Sequence, residues 1–291
     1  MTTRRQWLAG AIGTAGVLAA GTTLAASYEK ELKRIRERIG GRLGVHALDS
    51  QSGKRWGIDD NGRYAMASTF KVALAAALLW QVDRKAFTLD HRIHIEKSQL
   101  LLNSPAVEVK LMASADAMTV RELLAAAVTQ GDNAATNILL RAMGGPSLVT
   151  EFFRTLGDTV SRLDRYELEL NSNVADDPRD TTTPRAMVDS LLAIFTRDVL
   201  ALSSRALLID WMTASKTGLD RVRAGLPKSW TCGDKTGSGD NGAINDVVIT
   251  YPPGRRPIFI AVYMSESKLT VPELSAAHAE IGRIVAREKW K

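Results

Sequence analysis

Strand-type patterns sit only at the two ends of this 291-residue chain, and the stretch between them is helical in period. Near the start, Leu43–Leu48 and Lys54–Ile58 flank Asp49-Ser50-Gln51-Ser52-Gly53 as a hairpin does. Near the end, Trp230–Lys235, Ile244–Tyr251 and Ile258–Met264 read as strands, the last two joined through Pro252-Pro253-Gly254-Arg255-Arg256-Pro257. Helical periods fill the middle at Val120–Thr129, Ala134–Met143, Ser147–Leu156 and Pro184–Phe195, with Thr183-Pro184 marking one helix start. A two-stranded hairpin is barely stable alone, so the strands of the two ends are expected to join in one sheet. The fold class that follows is α+β: an antiparallel sheet flanked by helices, formed by both chain ends, with an inserted all-helical domain. The boundaries read as 27–63 and 212–291 for the sheet domain and 64–211 for the helical one. An amphipathic helix from Ser27 to Ile39, with Leu32, Ile35 and Ile39 on one face and Gly40-Gly41 as its stop, opens the first. A helix from Pro272 to Trp290 closes the chain.

At the start of the helical part stands Ser68-Thr69-Phe70-Lys71, leading into the apolar run Val72–Trp80, which has the length and residue types of a buried helix. Three residues apart on a helical turn, Ser68 and Lys71 share a face. A serine hydroxyl is nearly inert until a base takes its proton. A lysine desolvated among apolar neighbours can serve, despite an ordinary pKa of about 10.4. Free N–H groups at a helix start also favour an oxyanion beside the serine. The same spacing recurs at Ser27–Lys30 and Ser265–Lys268, where no apolar helix follows; without other motifs, Ser68 reads equally well as a helix cap.

Three downstream motifs add chemistry. Gln130-Gly131-Asp132-Asn133 interrupts two helical runs and by itself reads as a polar loop. Glu167 and Asn171, four apart, would face the same way on a helical turn, where a carboxylate and an amide can hold one water for general-base attack. Lys235-Thr236-Gly237 falls on a strand pattern, where an ammonium and a hydroxyl on one edge can hold a carboxylate. A second copy, Lys216-Thr217-Gly218, follows the helical run Ala206–Met212 and reads as a helix end with a glycine cap.

A net charge of +6 from scattered Lys and Arg makes no basic patch interleaved with aromatics, so no nucleic-acid partner is expected. Residues 1–26 read as an export segment: Thr3-Arg4-Arg5-Gln6-Trp7-Leu8 resembles a twin-arginine signal, and Leu8–Ala26 is short and rich in Gly and Thr for a permanent span. A periplasmic or secreted protein, free of the membrane after signal removal, is expected. Cys232, the only cysteine, closes no internal disulfide, and His46, His91, His94 and His278 lack metal-ligand spacing, so neither metal nor cofactor is expected.

Taken in order, Ser68-x-x-Lys71, the near Ser-Asp-Asn at Gly131-Asp132-Asn133, Glu167-x-x-Leu170-Asn171 and Lys235-Thr236-Gly237 resemble the class A serine β-lactamases. The contexts Met66-Ala67-Ser68-Thr69-Phe70-Lys71, Arg179-Asp180-Thr181-Thr182-Thr183-Pro184 and Lys235–Asp240 resemble them too, so the likeness spans nearly the whole mature chain. It implies a monomer acting on small-molecule β-lactam antibiotics. Ser68 would attack the lactam carbonyl, Lys71 or Glu167 would take its proton, and Glu167 with Asn171 would position the deacylating water. The resemblance also implies an oxyanion hole of the Ser68 and Ser238 N–H groups, and Asn133 on the substrate's acylamide. Lys235, Thr236, Ser238 and Arg221 would hold the substrate carboxylate. Arg165 with Asp180 would tie the neck of the Glu167 loop, Asn137 would brace it, and Asp132 would keep its structural place beside the site.

Three positions depart from the family pattern. Gly131 replaces the motif serine, Asn103 stands where an aromatic is usual, and Ala67 stands where the disulfide-bearing carbapenemases have cysteine. Two further readings share the motifs: a penicillin-binding or sensor protein that acylates without turnover, against which Glu167 and Asn171 argue, and a weakly active relative because of Gly131.

Overall fold

The computed structural model describes residues 28–288 and Trp290; the export segment proposed for residues 1–26 lies outside them. Helix α1 covers residues 28–39. Strands β1 (Arg42–Asp49) and β2 (Arg55–Ile58) make the first hairpin; between the chain ends only short pairs occur, β3 (Tyr64–Ala65) with β6 (Thr181–Thr182) and β4 (Arg92–His94) with β5 (Ala117–Thr119); and, after the short helix α9 (Val222–Gly225), β7 (Thr231–Ser238), β8 (Ile244–Tyr251) and β9 (Ile258–Ser265) return at the other end of the chain. The strands of the two ends form one five-stranded antiparallel sheet in the order β2-β1-β9-β8-β7. The chain ends meet where β1 pairs with β9 in a register running from Arg42 opposite Ser265 to Asp49 opposite Ile258.

Both faces of the sheet are covered, which is why its central strand β9 is apolar at nearly every position. On β9, Ile258, Ile260, Val262 and Met264 face α1 and the closing helix α10 (Val271–Arg287), while Phe259, Ala261 and Tyr263 face the inserted helices. Strand β8 alternates likewise, Val248 to one core and Val247 and Ile249 to the other. The insert contains α2 (Lys71–Asp83), α3 (Pro105–Met112), α4 (Val120–Thr129), α5 (Asn133–Ala142), α6 (Ser147–Thr155), α7 (Pro184–Thr196) and α8 (Leu202–Thr213). Helix α2 is its axis, buried from Lys71 to Leu79 with no polar face. A helix apolar all round belongs at the centre of a bundle, and each of its large side chains contributes about 1.5–3 kcal/mol on burial. Thr183 caps α7 as its sequence predicts, accepting from Ala186 N at 3.1 Å ahead of Pro184. Among the described residues no helix is long and apolar enough to cross a membrane.

Candidate active site

Ser68 does not cap α2 directly. It sits in a 3-10 turn, Ala67–Phe70, that leads into it, and Ala67 has a left-handed φ of 43°, an uncommon conformation for a residue with a side chain. Two polar anchors hold this turn. Thr69 Oγ1 donates to Met66 O at 2.8 Å and lies 3.0 Å from Tyr263 Oη, and Asn245 Nδ2 donates to Ala65 O at 2.9 Å. Asn245 is a site-supporting residue that the motifs do not reveal. Its only sequence signal is Asn245-Asp246 within an otherwise apolar strand.

The expected Ser68–Lys71 pair meets through a third side chain. Glu167 Oε1 accepts from Ser68 Oγ at 3.3 Å and lies 2.9 Å from Lys71 Nζ. Lys71 also donates to Gly131 O at 2.9 Å and to Asn133 Oδ1 at 2.7 Å, so three acceptors match the three donors of an ammonium. The side chains of Lys71 and Glu167 are wholly buried, where a charge pair persists only if its remaining hydrogen bonds are made. Gly131 suits its place, since its φ of 71° directs the carbonyl to Lys71 in a conformation that glycine adopts freely.

The other carboxylate oxygen, Glu167 Oε2, accepts from Asn171 Nδ2 at 2.7 Å. The spacing predicts a shared helical face for these two residues. In the structure the Glu167–Leu168 peptide is cis and Asn171 ends a 3-10 turn (Glu169–Asn171), so the side chains meet across a tight loop instead. Asn171 Oδ1 is buried with no partner among the described residues, an acceptor free for a water beside Glu167. Asn137 braces the loop as expected, donating to Glu167 O at 2.7 Å and accepting from Glu167 N at 2.9 Å. At the neck, Arg165 Nε meets Asp180 Oδ2 at 2.6 Å, while Asp180 Oδ1 accepts from the Asp164 and Arg165 N–H groups.

Asp132 joins two helices. One carboxylate oxygen accepts from Ala106 N and Val107 N at the start of α3, the other from Ala135 N at the start of α5, where negative charge is favoured twice over. The adjoining Asn133 spends its amide inside the site, its oxygen on Lys71 and its nitrogen on Leu102 O at 2.8 Å.

Strand β7 supplies the opposite wall. Gly237 lets it pass the nucleophile turn, since a Cβ there would lie 2.8 Å from Met66 O and 3.2 Å from Ser68 N. Lys235 is buried, and desolvation together with nearby Lys71 pushes its pKa down to about 7 against the pull of Asp234. Arg221 is buried as well, donating to Gly237 O at 2.9 Å, Asn245 O at 2.6 Å and Ser238 Oγ at 2.9 Å. Behind these cations lie Asp234, 2.7 Å from Arg223, and Asp246, both carboxyls raised above their ordinary range by burial. Ser68, Asn133, Asn171, Lys235, Thr236 and Ser238 open on one cleft of about 940 Å³, large enough for a drug-sized ligand and rich in anion-binding groups on the β7 side. Leu102, Pro105 and Thr217 also line it, none of them marked by a motif assigned to catalysis. Among the described residues no cluster of His, Cys, Asp and Glu has the arrangement of a metal site.

The reading of Lys216-Thr217-Gly218 as a helix end with a glycine cap is not what the structure shows. Helix α8 ends at Thr213 with Ala214 as its cap, and Gly218 is not left-handed. It packs against Asp234 instead, and a Cβ there would lie 2.6 Å from the carboxylate.

The family model described as "Beta-lactamase enzyme family" matches residues 27–288. The β-lactamase AST-1 of Nocardia asteroides is 41% identical over 263 residues, covering 90% of this chain and 84% of that relative. A carbapenem-hydrolysing β-lactamase, KPC, from Klebsiella oxytoca is 42% identical over 243 residues, covering 83% and 82% of the two chains. Among solved structures, a class A β-lactamase representing the last common ancestor of Gram-negative bacteria superposes with a TM-score of 0.86 at 47% identity, covering 90% of this chain and 97% of that one.

Proposed function

The chain belongs to the class A serine β-lactamases and is a β-lactam hydrolase, and we propose that Glu167 handles the proton in both halves of its reaction. The observation that carries this is the sharing of one Glu167 oxygen between Ser68 and Lys71 while the other is held by Asn171. Ser68 Oγ attacks the lactam carbonyl as its proton passes to Glu167, directly or through one water. Lys71, its three donors engaged, holds carboxylate and oxyanion in one electrostatic frame. Backbone N–H groups of Ser68 and Ser238 take the developing oxyanion. The C–N bond then breaks, and the ring nitrogen takes up the proton that Glu167 received, relayed through Lys71 and a water, which leaves the acyl-enzyme and returns Glu167 to its carboxylate. A water held by Glu167 and Asn171 gives its proton to Glu167 and attacks the ester, which frees Ser68. Lys235, Thr236, Ser238 and Arg221 hold the substrate carboxylate, and the Asn133 amide, which faces the same cleft, takes the acylamide. We read the enzyme as a monomer of two lobes, residues 27–63 with 212–291 and residues 64–211, exported by its twin-arginine-like segment. Incubation with a chromogenic cephalosporin tests the catalytic reading. Many turnovers per molecule are expected, whereas one stoichiometric burst marks a penicillin-binding or sensor protein and no reaction marks an inactive relative.

Gly131 has no hydroxyl to hand to the ring nitrogen, and a positioned proton donor is typically worth about 10²–10⁴-fold. A water among Lys71, Lys235 and Thr236 recovers part of this. A Cβ at Gly131 would meet only Lys235 Nζ, at 3.6 Å, so a serine has room, at a strain of about 1–2 kcal/mol for the left-handed backbone. Gly131→Ser is therefore expected to acylate faster, to melt at a lower temperature and to be inactivated less reversibly by clavulanate-type inhibitors, for which serine is a second point of attachment. Single-turnover kinetics and inhibitor recovery on both proteins check this. Equal acylation rates would mean that the present proton path already suffices.

Because the Lys235 pKa lies near 7, its charge is present below that pH and lost above it. For carboxylate-bearing substrates, kcat/KM is expected to fall as pH rises through this region, well below the ordinary lysine range. Lys235→Arg removes that limb, since a guanidinium keeps its charge. A profile still flat at pH 9 in the parent enzyme counts against the assignment of Lys235.

A further inference from the structure

The two Lys-Thr-Gly segments lie against each other, and the second has a place in the cleft. Thr217 lines it, and Thr236 Oγ1 donates to Thr217 Oγ1 at 2.7 Å. Behind Thr217 lies the buried Ser215, whose Oγ is 3.3 Å from Thr217 Oγ1 with either hydroxyl able to donate. The chain is held rigidly on both sides. Gly218 packs on Asp234, the residue before Lys235, and Lys216 N donates to Thr129 O at 3.2 Å, tying the segment to the end of α4.

We propose that Thr217 is a positioning residue for substrate binding: through a chain of three hydroxyls, Ser215, Thr217 and Thr236, it holds the Thr236 oxygen against the substrate carboxylate and frees its proton for that contact. This rests on the reading that Thr236 binds the substrate carboxylate. A threonine hydroxyl has one proton and two acceptor lone pairs. In the free cleft Thr236 gives its proton to Thr217, so it has none for an anion. A carboxylate is the stronger acceptor, since charge-assisted hydrogen bonds are roughly twice as strong as neutral ones. When it arrives, the Thr236 O–H turns to it, and a Thr236 lone pair accepts from the Thr217 hydroxyl. Thr217 in turn can accept from Ser215. The reversal asks only for a small turn of the Thr217 side chain, so the clamp engages with its residues still in contact. The bond also selects one χ1 well for Thr236, which a branched side chain without a partner does not keep as firmly in an open cleft.

The test uses Thr217→Val, which keeps the shape and removes the hydroxyl, with Thr217→Ser as the conservative rescue. For a penicillin with its free carboxylate, kcat/KM of Thr217→Val is expected to fall by about five- to tenfold, the scale of one neutral hydrogen bond, with kcat nearly unchanged. Thr217→Ser should recover most of the loss. With the methyl ester of the same penicillin, parent and Thr217→Val should have equal kcat/KM. Thr236→Val is the control for the underlying reading and should discriminate acid from ester in the same sense. If Thr236→Val discriminates and Thr217→Val does not, Thr217 plays no part in the clamp and the proposal falls. A Thr217→Val loss equal for acid and ester, or one confined to kcat or to melting temperature, overturns it too, as a merely structural role. If Thr236→Val itself treats acid and ester alike, the carboxylate assignment fails first.

Discussion

In Glu167→Ala, a good penicillin is expected to acylate Ser68 at a measurable rate and then remain attached. Among the described residues this carboxylate alone touches both Ser68 and Asn171, through Oε1 at 3.3 Å and Oε2 at 2.7 Å. Removing it takes the base away from the deacylating water while Lys71 keeps Gly131 O and Asn133 Oδ1 as partners. Deacylation should slow by about 10²–10⁴-fold, the usual worth of a positioned general base. Acylation should slow less, since the nucleophile turn and the oxyanion N–H groups of Ser68 and Ser238 are untouched by the change. Mass spectrometry of the intact protein should show the adduct persisting for many parental turnover times. Turnover at the parental rate would mean that Glu167 is not the base.

Covalent labelling is expected to vanish in Ser68→Ala and to be nearly lost in Lys71→Ala, with the double variant no worse than Ser68→Ala. The two groups act through one oxygen of Glu167, so their losses do not add. Lys71→Ala has a second consequence. It leaves Glu167 wholly buried with no cation in contact, and removing one partner of a buried pair typically costs about 3–5 kcal/mol. The carboxyl is then expected to take up a proton, which spoils it as a base and couples lost activity to a lower melting temperature. Lys71→Met, with similar volume, separates packing from charge. Labelling of Ser68→Ala by a penicillin would remove Ser68 as the nucleophile.

Much of the site is legible in the sequence because each motif is short and local. Ser68 and Lys71 lie three positions apart and Glu167 and Asn171 four, and such spacings survive changes of backbone detail. The last pair shows this well: its side chains meet at 2.7 Å although the intervening backbone is a cis-containing loop and not a helical turn. Contacts between distant segments were not legible. Asn245 bracing the nucleophile turn, Asp132 joining two helix starts and Thr217 meeting Thr236 join residues far apart in sequence, and nothing local in any of them names its partner. Gly218 misled for the same reason. A glycine after a helix most often relieves a left-handed cap, and only the approach of Asp234 shows that this one relieves a side-chain clash.

The sequence by itself determined that the two chain ends build one sheet, that a helix apolar on every face runs through the inserted part, and which motif side chains come together at one cleft. Burial and periodicity are properties of residue types and need no knowledge of the partner. Tertiary structure alone decided how those side chains share protons. Whether Ser68 donates to Lys71 or to Glu167, and whether Thr236 keeps its proton or gives it to Thr217, turns on differences of a few tenths of an ångström between side chains from separate elements. Such distances are set by how the sheet and the helices pack on each other, and the order of residues along the chain does not record them.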